Sequence, residues 1–457
     1  MLFEYQTAGV KELLERKRLI LADDMGLGKT IQVLEALKIL SKTEPIKALG
    51  IIPPRLRSVW LNEWKSKRYC EHYDMQWKTS CDGVSLISNS ALQGAIPNST
   101  GNVLFCDEAH AFKNRSSKRT NKLRLLAKEP YFEYRWMLTG TPIQNRFDEL
   151  WPLLYVLNPK EFGSYWGFVS QYGVMGYNRY SSRLELQGLR DPDALKLRLD
   201  PYMLRRMRED YLTLPNATVI STDIKLSKYE QHKYNTMEQR YLAAFEHTGT
   251  LITALPGVST AVRLLQISTT PDLIDPECPA QDMVSTKLAK ILYDLRKESG
   301  RVVVFTLWKK SVDYLAHFLG NRAFKFYGGL TEKERSNNLI KWKTSEDGVL
   351  LATIATGAEG WTFVEADVVF LADLHYNPSV IEQAVSRIRR IGQTSDTIIV
   401  REYYVIGTIE DNLRDYVRRK HRESSSVVST KEILWKALEE RWLALQMDRQ
   451  IRRTGSR

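Results

Sequence analysis

Lys29 and Thr30 follow directly behind two glycines in the stretch Leu21-Ala22-Asp23-Asp24-Met25-Gly26-Leu27-Gly28. Glycines at this spacing let the backbone turn tightly, so that several N–H groups of the loop Asp24, Met25, Gly26, Leu27 and Gly28 point at one spot. Apolar Ile31, Leu34 and Leu37 set an amphipathic helix behind the loop. Its positive N-terminal end faces the same spot, which makes an anion cradle. Lys29 is placed to neutralise the β- and γ-phosphates of a nucleotide, and the Thr30 hydroxyl to ligate Mg²⁺. The strict pattern G-x-x-x-x-G-K-[ST] is broken once, because Asp23 stands where the first glycine belongs.

Two later apolar runs also end in polar chemistry. Asn102-Val103-Leu104-Phe105-Cys106 leads into Asp107-Glu108-Ala109-His110. Carboxylates at a strand's carboxyl end lie where parallel α/β sheets bind ligands. Asp107 completes the Mg²⁺ shell through water, and Glu108, on the other side of the chain, orients and deprotonates the attacking water. Met137-Leu138-Thr139-Gly140-Thr141 is a strand ending in a turn whose threonines can sense the γ-phosphate through His110. One helix upstream of the phosphate loop, the Gln6 amide can pair with both edges of an adenine, which points to ATP. Arg55 follows the strand Gly50-Ile51-Ile52 and is placed for phosphate contact, whereas Trp60 and Trp64 read as core. From Lys113 to Lys128 there are seven basic residues and no acidic one, including Lys113, Arg115 and Lys118. Such a run is either a solvated helix face or a surface for a polyanion. Near the other end of the chain, Arg387 and Arg390 are three apart and share a face if the segment is helical. Planar guanidiniums there can stabilise charge on a transferring phosphoryl group.

In this order Asp23–Thr30, Asp107–His110 and Leu138–Asn145 resemble motifs I, II and III of the Swi/Snf-type ATPases, a family of superfamily-two helicase-like translocases. Lys113-Asn114-x-x-Ser117-Lys118 is similar to the family's extension after the acidic box, and Gln383–Gln393 to its motif VI. Ala355–Phe363 resembles motif V in the form used by the annealing-helicase and fork-remodelling branch, as does Asp24 in place of the more usual Glu. Tyr376-Asn377-Pro378 stands where the family has Trp-Asn-Pro. The resemblance implies that Gly360 and Gln383 join the nucleotide site, that Arg387 and Arg390 are its arginine fingers, and that Tyr376 contacts DNA.

These residues need strands and helices to hold them. Apolar runs alternating with helical spacing imply an α/β chain of two RecA-like lobes with parallel sheets, helical protrusions and a C-terminal brace helix. The first lobe is expected over 1–204 with a protrusion at about 146–204, and an inter-lobe linker over 205–222. The second lobe is expected over 223–425 with a protrusion at about 226–285, and the brace over 426–457. Strands are expected at 301–305, 348–352 and 367–371.

At 457 residues, 43% hydrophobic and 26% charged, the composition is that of a globular chain. The N-terminus does not read as a signal peptide, and no apolar run reaches membrane-span length. Four cysteines without a C-x-x-C pair argue against zinc and a disulfide framework and for a reducing, intracellular compartment, nucleoid or nucleus according to the host. A net charge of +12 favours a polyanionic partner over a membrane.

The expectation is an ATPase working as a monomer on double-stranded or branched DNA, gripping mainly the phosphate backbone and using ATP and Mg²⁺. A strand-separating helicase with the same engine is the alternative. A non-hydrolysing DNA-binding scaffold is the reading from another class.

Overall fold

The computed structural model describes residues 2–43, 45–77, 83–93, 101–143, 146–177, 184–212, 214–248, 255–271, 285–357, 361–375, 378–390 and 392–422. It has two compact units, Met1–Thr213 and Leu214–Arg457.

In the first unit, helix α1 (Glu4–Arg16) leads into strand β1 (Arg18–Leu21), and the phosphate loop then opens α2 (Lys29–Ser41). Next come β2 (Lys47–Ile52), α3 (Arg57–Ser66), β3 (Met75–Gln76), β4 (Gly83–Ser88), β5 (Val103–Cys106), α4 (Lys118–Leu126) and β6 (Tyr134–Leu138). All seven strands of the sheet are parallel, in the order β3-β4-β2-β5-β6-β1-β9, where β9 is Met203–Leu204. A parallel sheet is covered on both faces, which is why its central strands are apolar throughout. Successive residues serve opposite cores. Ile20, Leu49, Ile51, Leu104 and Met137 pack on one face, and Leu19, Leu21, Ala48, Phe105 and Trp136 on the other.

The segment 146–204 is not all helical. After α5 (Trp151–Leu157) and α6 (Tyr165–Tyr172) comes an antiparallel hairpin, β7 (Gly173–Tyr177) with β8 (Leu184–Leu189), and then α7 (Pro192–Leu199). Its glycines (Gly173, Gly176 and Gly188) disfavour helix, and Leu186 and Leu189 pack against the core. A short helix, α8 (Arg208–Tyr211), ends the unit.

The stretch 205–222 is largely structured at both ends. Arg206 is buried in the first unit, and Asn216–Ile224 forms β10, paired with β15 (Thr397–Val405). The unit division falls within this stretch, at 213/214.

The second unit continues with α9 (Lys228–Thr248), α10 (Leu255–Thr269), α11 (Thr286–Leu295), β11 (Arg301–Thr306), α12 (Lys309–Leu319), β12 (Ala323–Phe326) and α13 (Glu332–Thr344). β13 (Gly348–Thr353), α14 (Ile354–Gly357), β14 (Val368–Leu371), α15 (Pro378–Val385), β15 and α16 (Ile409–Arg422) follow. Its six-stranded parallel sheet runs β10-β15-β14-β11-β13-β12. The three strands expected here appear as β11, β13 and β14.

A polar network lies inside this unit. The Lys287 ammonium is fully buried, 3.0 Å from both Glu410 carboxylate oxygens and 3.6 Å from Asp373. Asp373 also accepts from Thr269 at 2.6 Å and from the Leu307 backbone N–H at 2.9 Å. It ties α10 and α11 to the carboxyl ends of β11 and β14. No helix of the described residues is long and apolar enough to cross a membrane. The expected brace at 426–457 lies outside the described residues.

Candidate active site

The phosphate loop has the geometry its glycines call for. Gly26 and Gly28 take φ of 90° and 75°, and Gly28 sits left-handed at the N-cap of α2. The Lys29 ammonium donates to the backbone carbonyls of Asp23 at 2.7 Å and Asp24 at 3.2 Å. Burial lowers its pKa, opposed by the charges of Glu108, Asp107, Asp23 and Asp24. Thr30 follows at the start of the same helix.

Gln6 is buried rather than superficial. Its oxygen accepts from the Phe3 N–H at 3.1 Å, closing the first turn of α1, and its nitrogen donates to the Leu27 carbonyl at 3.3 Å. The amide expected to read adenine therefore braces the loop. A Cβ on Gly28 would lie 2.5 Å from the Gln6 nitrogen, so glycine serves there for space as well as for φ.

Asp23, the departure from the strict pattern, is fully buried and ion-paired to Arg206. The Arg206 Nε donates to Oδ1 at 2.8 Å and its Nη2 to Oδ2, a bidentate pair; Gln32 adds a donor to Oδ2 at 3.0 Å. Arg206 also donates to the Tyr5 carbonyl and to Gln32 Oε1 (2.9 Å), while its own carbonyl accepts from the Asp24 N–H at 2.9 Å. Gly9 makes room for this cluster: a Cβ there would lie 1.9 Å from Gln32 Oε1 and 2.6 Å from the Arg206 Nη2.

The acidic pair lies at the end of β5. Asp107 is buried; Oδ2 accepts from the Trp60 indole at 2.8 Å and Oδ1 from the Glu108 N–H at 2.8 Å. Burial, then the Glu108 charge, raises its pKa to about 6. Glu108 takes a left-handed backbone with φ of 48°, a strained setting for a non-glycine residue. His110 Nδ1 lies 3.2 Å from Glu108 Oε2 and 3.4 Å from Thr139 Oγ1, and Thr139 Oγ1 accepts from the Thr141 N–H at 3.2 Å. The three polar strand ends thus meet. A Cβ on Gly140 would come within 3.0 Å of Met25 and 3.6 Å of the Lys29 ammonium. The oxygen donors Thr30 and Asp107, the latter oriented by an indole and a backbone N–H, suit a hard cation such as Mg²⁺.

The basic surface divides. Arg55 is exposed on a single 3₁₀ turn, and Lys118 is exposed at the start of α4, where Ser117 caps the helix by accepting from Thr120. Lys113 is ion-paired to Glu149 at 3.3 Å. Arg115 lies 4.0 Å over the Tyr165 ring, and Arg124 stacks on Trp151 and Tyr155 at 4.6 and 4.4 Å. Part of the run is therefore engaged with the protein itself.

In the second unit the helical reading of Arg387 and Arg390 is corrected. α15, which carries Gln383, ends at Val385, and residues 386–390 follow as consecutive tight turns. The Ser386 hydroxyl donates to the Gln383 carbonyl at 2.7 Å, a local bond that competes with the helical ladder. Arg387 is buried, its carbonyl accepting from the Phe363 N–H at 2.9 Å. Arg390 donates to the Thr362 hydroxyl at 2.9 Å, and Arg389 is directed elsewhere, to the Pro215 carbonyl at 2.7 Å. Gly360 and Tyr376 lie outside the described residues.

Sequence reasoning missed Arg206, the Trp60 indole donor and Gly9. Only the aspartate in a glycine position signalled that a partner was needed.

A family model described as SNF2-related domain matches residues 5–76 and 53–269, and one described as helicase conserved C-terminal domain matches residues 284–392. Similar proteins include the ISWI chromatin-remodeling complex ATPase CHR11 of Arabidopsis thaliana, 27% identical over 440 residues, 87% of this chain and 40% of that protein. Another is the SWI/SNF-related matrix-associated actin-dependent regulator of chromatin subfamily A member 1 of Homo sapiens, 26% identical over 450 residues, 90% and 41% of the two chains. The chain thus spans about two fifths of these relatives' length. Among solved structures, the Sulfolobus solfataricus SWI2/SNF2 ATPase core in complex with dsDNA aligns with TM-score 0.42 and 22% identity, covering 95% of this chain and 94% of that one.

Proposed function

The chain belongs to the SNF2-related family, and on that footing we propose that it hydrolyses ATP and uses the cycle to move along double-stranded DNA. The observation that carries the reading is the meeting of Lys29, the Asp107–Glu108 pair and the Thr139–Thr141 turn at neighbouring ends of β1, β5 and β6.

In this reading Lys29 leaves the Asp23 and Asp24 carbonyls to take the β- and γ-phosphates, beside the loop N–H groups. Thr30 and Asp107 hold Mg²⁺, which when bound neutralises charge on the phosphate oxygens. Glu108 accepts the proton of the attacking water, and His110 links that carboxylate to Thr139, so that loss of the γ-phosphate is felt at the end of β6. Arg387 and Arg390 are assigned to stabilising charge on the transferring phosphoryl group, and Gln383 and Gly360 to nucleotide binding. The hydrolysis cycle then moves the grip along the phosphate backbone, with Arg55, Lys113, Arg115, Lys118 and Tyr376 among its contacts. Gln6 contributes to nucleotide binding through the loop it braces.

Phosphate release measured with single-stranded, duplex, forked and four-way DNA tests the reading; strong stimulation by duplex is the expected result. Triplex displacement without unwinding of a forked duplex supports translocation, and unwinding supports the helicase alternative. No phosphate release with saturating ATP and every DNA refutes both.

A further inference from the structure

Asp23 sets an electrostatic problem. It is a fully buried carboxylate in a loop read as an anion site, at a position where the phosphate-loop pattern has only hydrogen. Left alone it would repel phosphate and draw the Lys29 ammonium, which already lies against the Asp23 backbone.

The structure resolves that conflict with one charged side chain and an amide. Both Asp23 oxygens are taken by the Arg206 fork, and Oδ2 by Gln32 as well. Lys29, meanwhile, rests on the backbone carbonyl of Asp23 at 2.7 Å rather than on its carboxylate. The arginine is itself held on several sides, by the Tyr5 carbonyl, Gln32 Oε1 and the Tyr5 ring at 5.5 Å. Its backbone is stitched to the loop through the Asp24 N–H, just beyond the pairing of β9 with β1.

We propose that Arg206 is a positioning residue of the nucleotide site, cancelling and turning aside the Asp23 carboxylate so that Lys29 stays available to phosphate. This deepens the ATP reading and rests on it. A planar fork suits the task, since two donors fix the carboxylate's direction as well as its charge.

The test is binding of a fluorescent ATP analogue by the full chain without DNA, read beside the melting temperature. Arg206→Gln is expected to weaken binding about tenfold or more, because the uncompensated carboxylate captures Lys29. The double variant Asp23→Asn with Arg206→Gln removes both charges, and is expected to recover to within about threefold of wild type. A merely structural arginine predicts the opposite, since the double variant loses the same bonds to Tyr5 and Gln32. A folded double variant that binds no better than Arg206→Gln overturns the proposal. Should Arg206→Gln fail to fold, Arg206→Lys takes its place: it keeps the charge but loses the fork, so its binding is expected to fall between that of wild type and that of Lys29→Ala, and binding as weak as Lys29→Ala overturns the proposal. Loss of binding in Lys29→Ala with full binding in Arg206→Gln overturns this proposal alone. No binding by the wild-type chain overturns the ATP reading as well.

Discussion

Replacing Trp60 by phenylalanine takes one donor from Asp107, together with part of a fully buried ring. The indole N–H donates to Asp107 Oδ2 at 2.8 Å, and the ring stacks on Phe105 with centroids 5.0 Å apart at 23°. Phenylalanine keeps the stacking and removes the donor. A hydrogen bond to a charged group is worth about 1.5–3 kcal/mol net, and the lost ring volume adds to that loss of folding stability. The functional consequence is larger in kind. Asp107 has two donors in the described structure, one for each oxygen, and the Glu108 N–H alone leaves the carboxylate free to pivot about Oδ1. Losing an orienting partner of a metal-binding carboxylate costs roughly 10- to 100-fold in metal affinity. The half-saturating Mg²⁺ for phosphate release should therefore rise at least about tenfold in Trp60→Phe, with kcat at saturating Mg²⁺ close to wild type. Titrating Mg²⁺ at fixed ATP and DNA measures it, and urea denaturation separates the metal effect from unfolding. An unchanged Mg²⁺ midpoint in a folded variant would refute the assignment of Asp107 as the oriented metal ligand.

Because burial and the Glu108 charge raise Asp107 to about 6, and the ionised form is the one that binds metal, the acid limb of kcat/KM should lie near that pH at low Mg²⁺. It should move to lower pH as Mg²⁺ is raised; a limb in the ordinary carboxylate range at every Mg²⁺ concentration contradicts this. Arg390→Ala should abolish phosphate release at matched DNA affinity, as should Lys29→Ala, and undiminished hydrolysis would remove the finger assignment. Gly9→Ala pits a helix-propensity gain of roughly 0.5–1 kcal/mol against overpacking of about 1–3 kcal/mol where the new methyl would meet Gln32 and Arg206; thermal melts should show a net loss. For DNA, Lys118→Ala should lower the salt slope of binding by about one phosphate equivalent, and Lys113→Ala by less, since Lys113 is already paired to Glu149.

The parallel sheets were legible because buried strands are short apolar runs, and the active-site turns because glycines and adjacent carboxylates break those runs. What escaped was what depends on distance in sequence. Arg206 meets Asp23 across 183 positions, and nothing in the local pattern around either residue names the other. Trp60 read correctly as core, yet the direction of its indole N–H is set by the packing of α3 against β5. The hairpin in 146–204 was hidden because its aromatic neighbours imitate helical spacing. The turns at 386–390 were misread for a related reason: side-chain bonding by Ser386 overrides a sequence with good helical propensity.

The Lys287–Glu410–Asp373 cluster bears on how this chain can change over time. Removing Lys287 strands two carboxylates in the interior, at a cost of about 3–5 kcal/mol against a typical total of 5–15 kcal/mol, whereas removing either carboxylate leaves Lys287 one partner and strands the donors which that carboxylate satisfied. An all-apolar replacement can nonetheless match the original in stability. The valley between those two solutions ties the trio together, and single-substitution surveys should find Lys287 the least tolerant of the three positions even where a triple exchange is harmless.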